Sequence, residues 1–336
     1  MDNKKLILAV AGSGKTYLLV NSLNETERFL LITYTISGTE NLIREVIERF
    51  GYHPNNIKIY NYFSFLYSFC YKPFFKDEIK DKGIYWKYPS SVYDNSFLTK
   101  GNFLYHNRIS KLLLQKVDGE VRNRLTRYFD HLFIDEIQDF GGNDFDLIVA
   151  LLKTSVNMVL VGDFYQHTFD TSKDKQKNKS LHHNYNNYLS RFEKSGIVID
   201  SSTLIKSRRC SKAVCDFIKE KLGIDIESEN NRITRCELIA DQDEAEQIIR
   251  DDSYMKLFLL KHYNYECKSD NWGACKGLTF DNVCVVLNAD TLKLFSNPGL
   301  FLFKSAITQN KFYVACSRAK GNLVFVSDKH LKSFKK

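Results

Sequence analysis

Short, uninterrupted apolar runs alternate along this chain with stretches whose apolar positions recur at helical spacing. Leu6–Val10, Phe29–Tyr34, Ile57–Tyr60, His131–Ile134 and Met158–Val161 are the runs of the first half. Such runs, bounded by polar or glycine-rich segments, suit strands buried on both faces, as in a parallel sheet. Between the second and third, Leu42, Ile43, Val46, Ile47 and Phe50 fall on one helical face. Tyr17–Val20 opens a helix directly after a glycine loop, and one helix is predicted over 108–128. Further on, Met255–Leu260, Asn282–Leu287 and Asn322–Ser327 read as strands, with helices over Cys210–Leu222 and Asp243–Asp251. Strands alternating with helices predict an α/β fold, its mostly parallel sheets flanked by helices.

At 336 residues the chain predicts two domains. We place them at 1–195 and 196–336, with a small accessory insertion over about 70–130 in the first. The segment KDKQKNKS (173–180), shortly before the boundary, has no apolar period and reads as a solvated loop.

Composition removes several classes. With 25 Phe, 19 Tyr and 2 Trp, disorder is excluded as the main state. No window is apolar enough for a membrane helix, and the first apolar run has the length of a strand rather than of a signal-peptide core. The eight cysteines are scattered without zinc spacing, so reduced thiols and a cytoplasmic protein are expected, with no disulfide framework, zinc site or membrane partner. A net charge of +8 suits a polyanionic partner.

The chemistry starts at AVAGSGKT (9–16). Its spacing is that of the phosphate loop, G-x-x-x-x-G-K-[ST], with Ala9 in place of the first glycine. Small residues let the backbone N–H groups of Ala11, Gly12, Ser13 and Gly14 wrap phosphates. The helix that follows, with Tyr17 in its first turn, adds its N-terminal dipole. Lys15 would neutralise phosphate charge and the Thr16 hydroxyl would hold Mg²⁺. HLFIDE (131–136) supplies the acids: Asp135 for the metal, Glu136 as general base for an attacking water. Together they predict ATP and Mg²⁺ as cofactors.

The motifs that follow, in their order, resemble the UvrD/Rep-like superfamily 1 helicases. IDEIQD (134–139) resembles the DExQD box, which implies that Gln138 senses the γ-phosphate and Asp139 stabilises the turn. VLVGDFYQ (159–166) is similar to VGDxxQ, whose glutamine, here Gln166, couples nucleotide to nucleic acid. TYTISGTENL (33–42) and YNYFSFL (60–66) resemble strand-binding motifs, which implies contacts from Tyr34, Thr35, Tyr62, Phe63 and Ser64. LIKSRRCS (204–211) resembles LxxNYRS, with Arg209 facing phosphate. CKGLTFDNVCVV (275–286) is similar to the KGLEF motif, which implies Gly277 at the nucleotide and Lys276, with Asn271 upstream, at nucleic acid. KFYVACSRAK (311–320) resembles YVAxTRA, with Arg318 as arginine finger.

The resemblance implies two RecA-like P-loop NTPase domains with ATP between them. It implies a helicase or translocase moving 3′→5′ on single-stranded DNA, with RNA also open. Bases would stack on aromatics such as Tyr34, Tyr62, Phe63, Phe164 and Tyr165; for Phe63 and Phe164 core packing is the stronger expectation. Three departures stand out. Only Met1–Lys5 precede the first strand, so the upstream glutamine motif of the family has no counterpart. Thr279 replaces the acid of KGLEF. The intervals Ser64–His131 and Arg209–Cys275 are short, the second with room for only a strand, a helix and loops. A pared-down motor is expected. The alternative is an ATP- and DNA-responsive regulatory subunit with a protein partner, such as a nuclease in anti-phage defence.

Overall fold

In the computed structural model, which describes residues 3–91, 94–168 and 177–336, each apolar run named above becomes a strand. The chain forms two units. The first takes the described residues of Met1–Leu8, Lys15–Gly162 and Phe169–Asp200; the second takes Ala9–Gly14, Asp163–Thr168 and Ser201–Lys336.

The first unit begins β1 (Lys4–Ala9), α1 (Lys15–Asn21), β2 (Phe29–Thr33), α2 (Ile36–Phe50), β3 (Ile57–Asn61) and α3 (Tyr62–Ser64). A smaller region follows with α4 (Lys72–Ile79), β4 (Ile84–Tyr85), β5 (Leu104–Tyr105), α5 (Ile109–Lys116) and α6 (Asp118–Tyr128). The chain then returns through β6 (His131–Ile134), α7 (Gly142–Leu151), β7 (Asn157–Gly162), α8 (Tyr185–Glu193) and β8 (Val198–Leu204), the last of which passes into the second unit at Ser201. The sheet order is β3-β2-β6-β7-β1-β8, and the pairings of β3 with β2, β2 with β6, β6 with β7 and β7 with β1 are parallel. Leu6, Leu30, Ile32, Leu132, Ile134, Met158 and Leu160 are fully buried. Unbroken apolar runs suit this position, because helices cover a parallel sheet on both faces. Parallel pairing also brings the carboxyl ends of these strands to one edge, where the loops carrying chemistry emerge.

One expectation is corrected here. The helix predicted over 108–128 is two, α5 and α6, parted at Val117 (φ −142°). Val117 N–H closes α5 on Leu113 O, and Asp118, Gly119 and Glu120 open a new helix with acid in its first turn. The aromatic segment after β3 is helical throughout Tyr62–Ile79, with a wide π stretch at Phe65–Tyr71. Of KDKQKNKS, residues 173–176 lie outside the described residues; Lys177 pairs with Asp146 at 2.9 Å.

The second unit contains β9 (Lys206–Ser207), α9 (Lys212–Leu222), β10 (Glu227–Ser228), β11 (Cys236–Ile239), α10 (Gln242–Arg250) and β12 (Tyr254–Phe258). After them come β13 (Ser269–Asn271), β14 (Asn282–Leu287), α11 (Ala289–Leu292), α12 (Ala306–Cys316) and β15 (Leu323–Ser327). Its sheet, β11-β15-β14-β12-β13, is parallel throughout. Alternate residues of the central strands feed opposite faces. Val283, Val285, Leu323 and Phe325 join Val214, Ile218 and Phe312 from α9 and α12; Cys284, Val286, Val324 and Val326 join Ile248 and Ile249 of α10. The interval Arg209–Cys275, expected to hold one strand and one helix, holds two helices and four strands. The short strands β10, β11 and β13 escape a pattern search because each has too few residues to show a period. Among the described residues no helix is long and apolar enough to cross a membrane.

Candidate functional site

In the first unit, β6 delivers Asp135 and Glu136 to the edge at which α1 presents Lys15 and Thr16. Asp135 N–H still donates to Ile32 O (2.9 Å), which holds that residue in register with the sheet. Thr16 Oγ1 donates to Asp135 Oδ2 at 3.2 Å, and Lys15 Nζ lies 3.5 Å from Glu136 Oε1. Gln138 Nε2 donates to Glu136 Oε2, closing the group. Glu136 has φ +55° and ψ +45°, a left-handed conformation that costs a residue bearing a Cβ about 1–2 kcal/mol. Gly162, at the end of β7, leaves the space for this turn. A Cβ there would run into Gln138 Oε1 and stand 2.6 Å from Ile137 Cγ2.

Burial, then the neighbouring charge of Glu136, pushes the Asp135 carboxyl up to about 7, while Lys15 pulls it down. Two carboxylates against one ammonium leave negative charge in excess, and a divalent cation would reverse that shift. The donors fit Mg²⁺: a hydroxyl and a carboxylate oxygen, both hard, with the other positions open to water and phosphate oxygens. Among the described residues there is no cluster of three or more His, Cys, Asp or Glu that could hold a metal ion.

In the second unit the glycine loop is anchored by hydrogen bonds. Ala11 N–H donates to Tyr313 Oη (2.9 Å), Ser207 Oγ donates to Ala11 O (2.7 Å) and Arg208 N–H to Gly12 O (2.9 Å). Gly12 and Gly14 hold φ +73° and +89°, conformations open to glycine. A Cβ on Gly12 would meet Arg209 Cβ at 2.6 Å, and one on Gly14 would meet Arg208 Cζ at 3.4 Å. Two arginines therefore border a loop whose remaining N–H groups suit a polyphosphate. Arg208 also donates to Glu229 Oε2 (3.0 Å), and Arg209 to Ser317 O (3.2 Å).

A buried relay runs from this loop. Tyr313 Oη, while accepting from Ala11 N–H, donates to Asp163 Oδ2 at 2.8 Å; Gln166 Nε2 donates to the same oxygen at 2.8 Å. Burial and the nearby Asp163 push the Tyr313 phenol well above its ordinary range, so it keeps the proton it donates. Arg318 is buried: its guanidinium donates to Val314 O (3.0 Å), Leu278 O (3.3 Å) and Ser317 Oγ (3.1 Å), sealing the end of α12. Those bonds use three of its five N–H groups, and the side chain is buried, so a phosphate contact from Arg318 requires it to be uncovered.

The strand-binding candidates divide. Tyr62 is in the core, 3 % exposed, its Oη 3.3 Å from both Ser110 Oγ and Asp144 Oδ1. Tyr34 stacks on it at 5.9 Å. Phe63, expected in the core, is half-buried; Phe164 is buried as expected, and Tyr165 lies edge-on to Tyr313 at 6.1 Å. Thr35 Oγ1 caps α2 by accepting from Gly38 N–H (3.0 Å), and Ser64 N–H donates to Asn61 Oδ1 (2.8 Å). Tyr17 is exposed on α1. Asn271 ends β13, accepting from His262 N–H (3.3 Å), and leads to Lys276 and to Gly277 (φ +84°). Sequence reasoning missed Arg208, Ser207, Asp163 and Tyr313. Each lies inside a motif already singled out, but only the fold shows which member of a motif faces the loop.

Residues 104–327 match the family described as the viral superfamily 1 RNA helicase core domain, a span that begins after the glycine loop. The RNA replication polyprotein of Potato virus M (strain Russian) is 23% identical over 196 residues, covering 58% of this chain and 9% of that protein. Among solved structures, an arterivirus nonstructural protein 10 (helicase) is similar at 16% identity and a TM-score of 0.50, over 98% of this chain and 62% of the other. The same helicase in complex with DNA matches at the same identity and TM-score, over 98% and 63%. The chain thus spans less than two thirds of these helicases and under a tenth of the polyprotein; the structural likeness is one of fold.

Proposed function

The chain belongs to the viral superfamily 1 RNA helicase core family, and on that premise we propose that it is an NTP-hydrolysing motor moving on single-stranded nucleic acid. The observation that carries this reading is the meeting of Lys15, Thr16, Asp135, Glu136 and Gln138 in one group. Phosphoryl transfer needs positioning and charge neutralisation more than covalent chemistry. Thr16 and Asp135 would hold Mg²⁺, which would offset the charge developing on the phosphates. Lys15 neutralises phosphate oxygens, Glu136 takes the proton of the attacking water, and Gln138 holds the Glu136 carboxylate in place. Within the second unit, Arg208 and Arg209 stand beside the glycine loop.

RNA is the favoured strand, supported by the family's description and by the name of the potato virus relative. Movement 3′→5′ on DNA in the manner of UvrD/Rep-like enzymes is the other reading, resting on the VLVGDFYQ and KFYVACSRAK motifs. The test is phosphate release from ATP and GTP with poly(U), with poly(dT) and with neither. Strand-dependent stimulation is expected; its absence with every nucleic acid defeats the proposal. Duplexes with opposite tails then report direction.

A further inference from the structure

Spacing of four along the helical run after β3 stacks Phe63, Tyr67 and Tyr71, ring on ring. Tyr71 is fully buried, Tyr67 lies 5.6 Å from it at 13°, and Phe63 lies 6.0 Å from Tyr67 at 16°. The column continues outward through residues distant in sequence. Trp86 packs on Phe63 at 4.6 Å, His106 stacks on Trp86 at 5.7 Å and 30°, and Tyr88 meets His106 edge-on at 5.1 Å. The inner rings are fixed by the core, yet Trp86 is 63% exposed. Packing on Phe63 and His106 thus holds a large indole in place while most of its surface stays in water.

Lysines flank Trp86 in the sequence. KGIYWKYPSS (82–91) carries Lys82 and Lys87 and no acid, and Lys72 Nζ sits 4.9 Å over the Tyr67 ring. Exposed aromatic faces interleaved with cations match bases and phosphates together, whereas an apolar protein surface would leave the lysines without a counterpart. A ring already ordered by its neighbours loses little freedom on binding.

We propose that Trp86, backed by Phe63 and His106, is a base-stacking platform for single-stranded nucleic acid, with Lys72 and Lys87 meeting the backbone. The inference rests on the motor reading and adds to it a strand contact outside the motifs. It also gives Phe63 a different part: Phe63 supports the platform from behind.

The chain supplies its own reporter, since its two tryptophans are Trp86, exposed, and Trp272, fully buried. Titrating oligo(U) or oligo(dT) into the full chain should quench and blue-shift the exposed emission while the Trp272 component stays constant. Anisotropy of a labelled oligomer should show Trp86→Ala binding about fivefold or more weakly and Trp86→Phe within about twofold of the parent. An abasic strand of equal length should bind parent and Trp86→Ala alike. A circular dichroism melt shared by the three proteins attributes the change to the surface. If the parent binds the oligomer but Trp86→Ala binds it equally well, or the indole emission does not respond, the platform is overturned and the motor reading stands. If the parent binds no strand at all, the motor reading fails and takes the platform with it.

Discussion

Lys15 and Glu136 are 3.5 Å apart, yet their removal should fail in different ways. Lys15→Ala removes charge that the bound phosphates need, so both nucleotide affinity and turnover should collapse. Glu136→Gln keeps the shape and loses the proposed base; turnover should fall about 100-fold or more with nucleotide binding retained, as equilibrium binding and single-turnover hydrolysis would show. Tyr313→Phe deletes one oxygen from a fully buried ring. It leaves Ala11 N–H without that acceptor and Asp163 without that donor, at a cost of about 1–3 kcal/mol in urea unfolding. Because Ala11 belongs to the loop proposed to wrap phosphate, the KM for nucleotide should rise as well, which a defect of packing alone would not cause. Lys15 is legible from spacing, since strand, glycine loop and helix leave one place for it. Tyr313 is not, because its partners Ala11 and Asp163 are distant in the chain and only folding brings them to one hydroxyl.

At the scale of elements, helix ends carry information that periodicity lacks. Thr35, expected on nucleic acid, caps α2 through Gly38 N–H. Thr35→Ala should destabilise the protein by about 1 kcal/mol in the absence of any strand, and Thr35→Asn should restore that loss in thermal unfolding. The entries to β2 and β6 are joined by Arg28, whose guanidinium and backbone N–H both bond Asp130. Those bonds hold the Asp130 carboxyl down to about 2. Its folded value lies below the unfolded one, so the contribution is present above about pH 4 and is lost as pH falls toward 2. The pair is exposed and the effect accordingly small. Asp130→Asn should flatten the acid limb of a plot of unfolding midpoint against pH and leave the alkaline limb unchanged. The strands were readable because buried parallel strands need unbroken apolar runs. The break at Val117 was not, because buried apolar residues occur on both sides of it, Leu112 and Leu113 before and Val121 and Leu125 after.

For the whole molecule, ligand binding and stability are linked. At about 100 times its Kd, nucleotide with Mg²⁺ should stabilise the parent by about 2.7 kcal/mol, seen as a raised unfolding midpoint, and should leave Lys15→Ala unmoved. By itself the sequence determined the α/β class, the central strands and the phosphate-loop, acidic and arginine motifs. These depend on local spacing: an apolar run long enough for a buried strand, and small residues where backbone must wrap an anion. Only the tertiary structure decided that Arg208 joins Arg209 beside the loop, that Arg318 seals its own helix, and that Tyr62 is buried while Trp86 stands in solvent. Such outcomes turn on contacts between residues far apart in the chain, which residue type and periodicity do not encode.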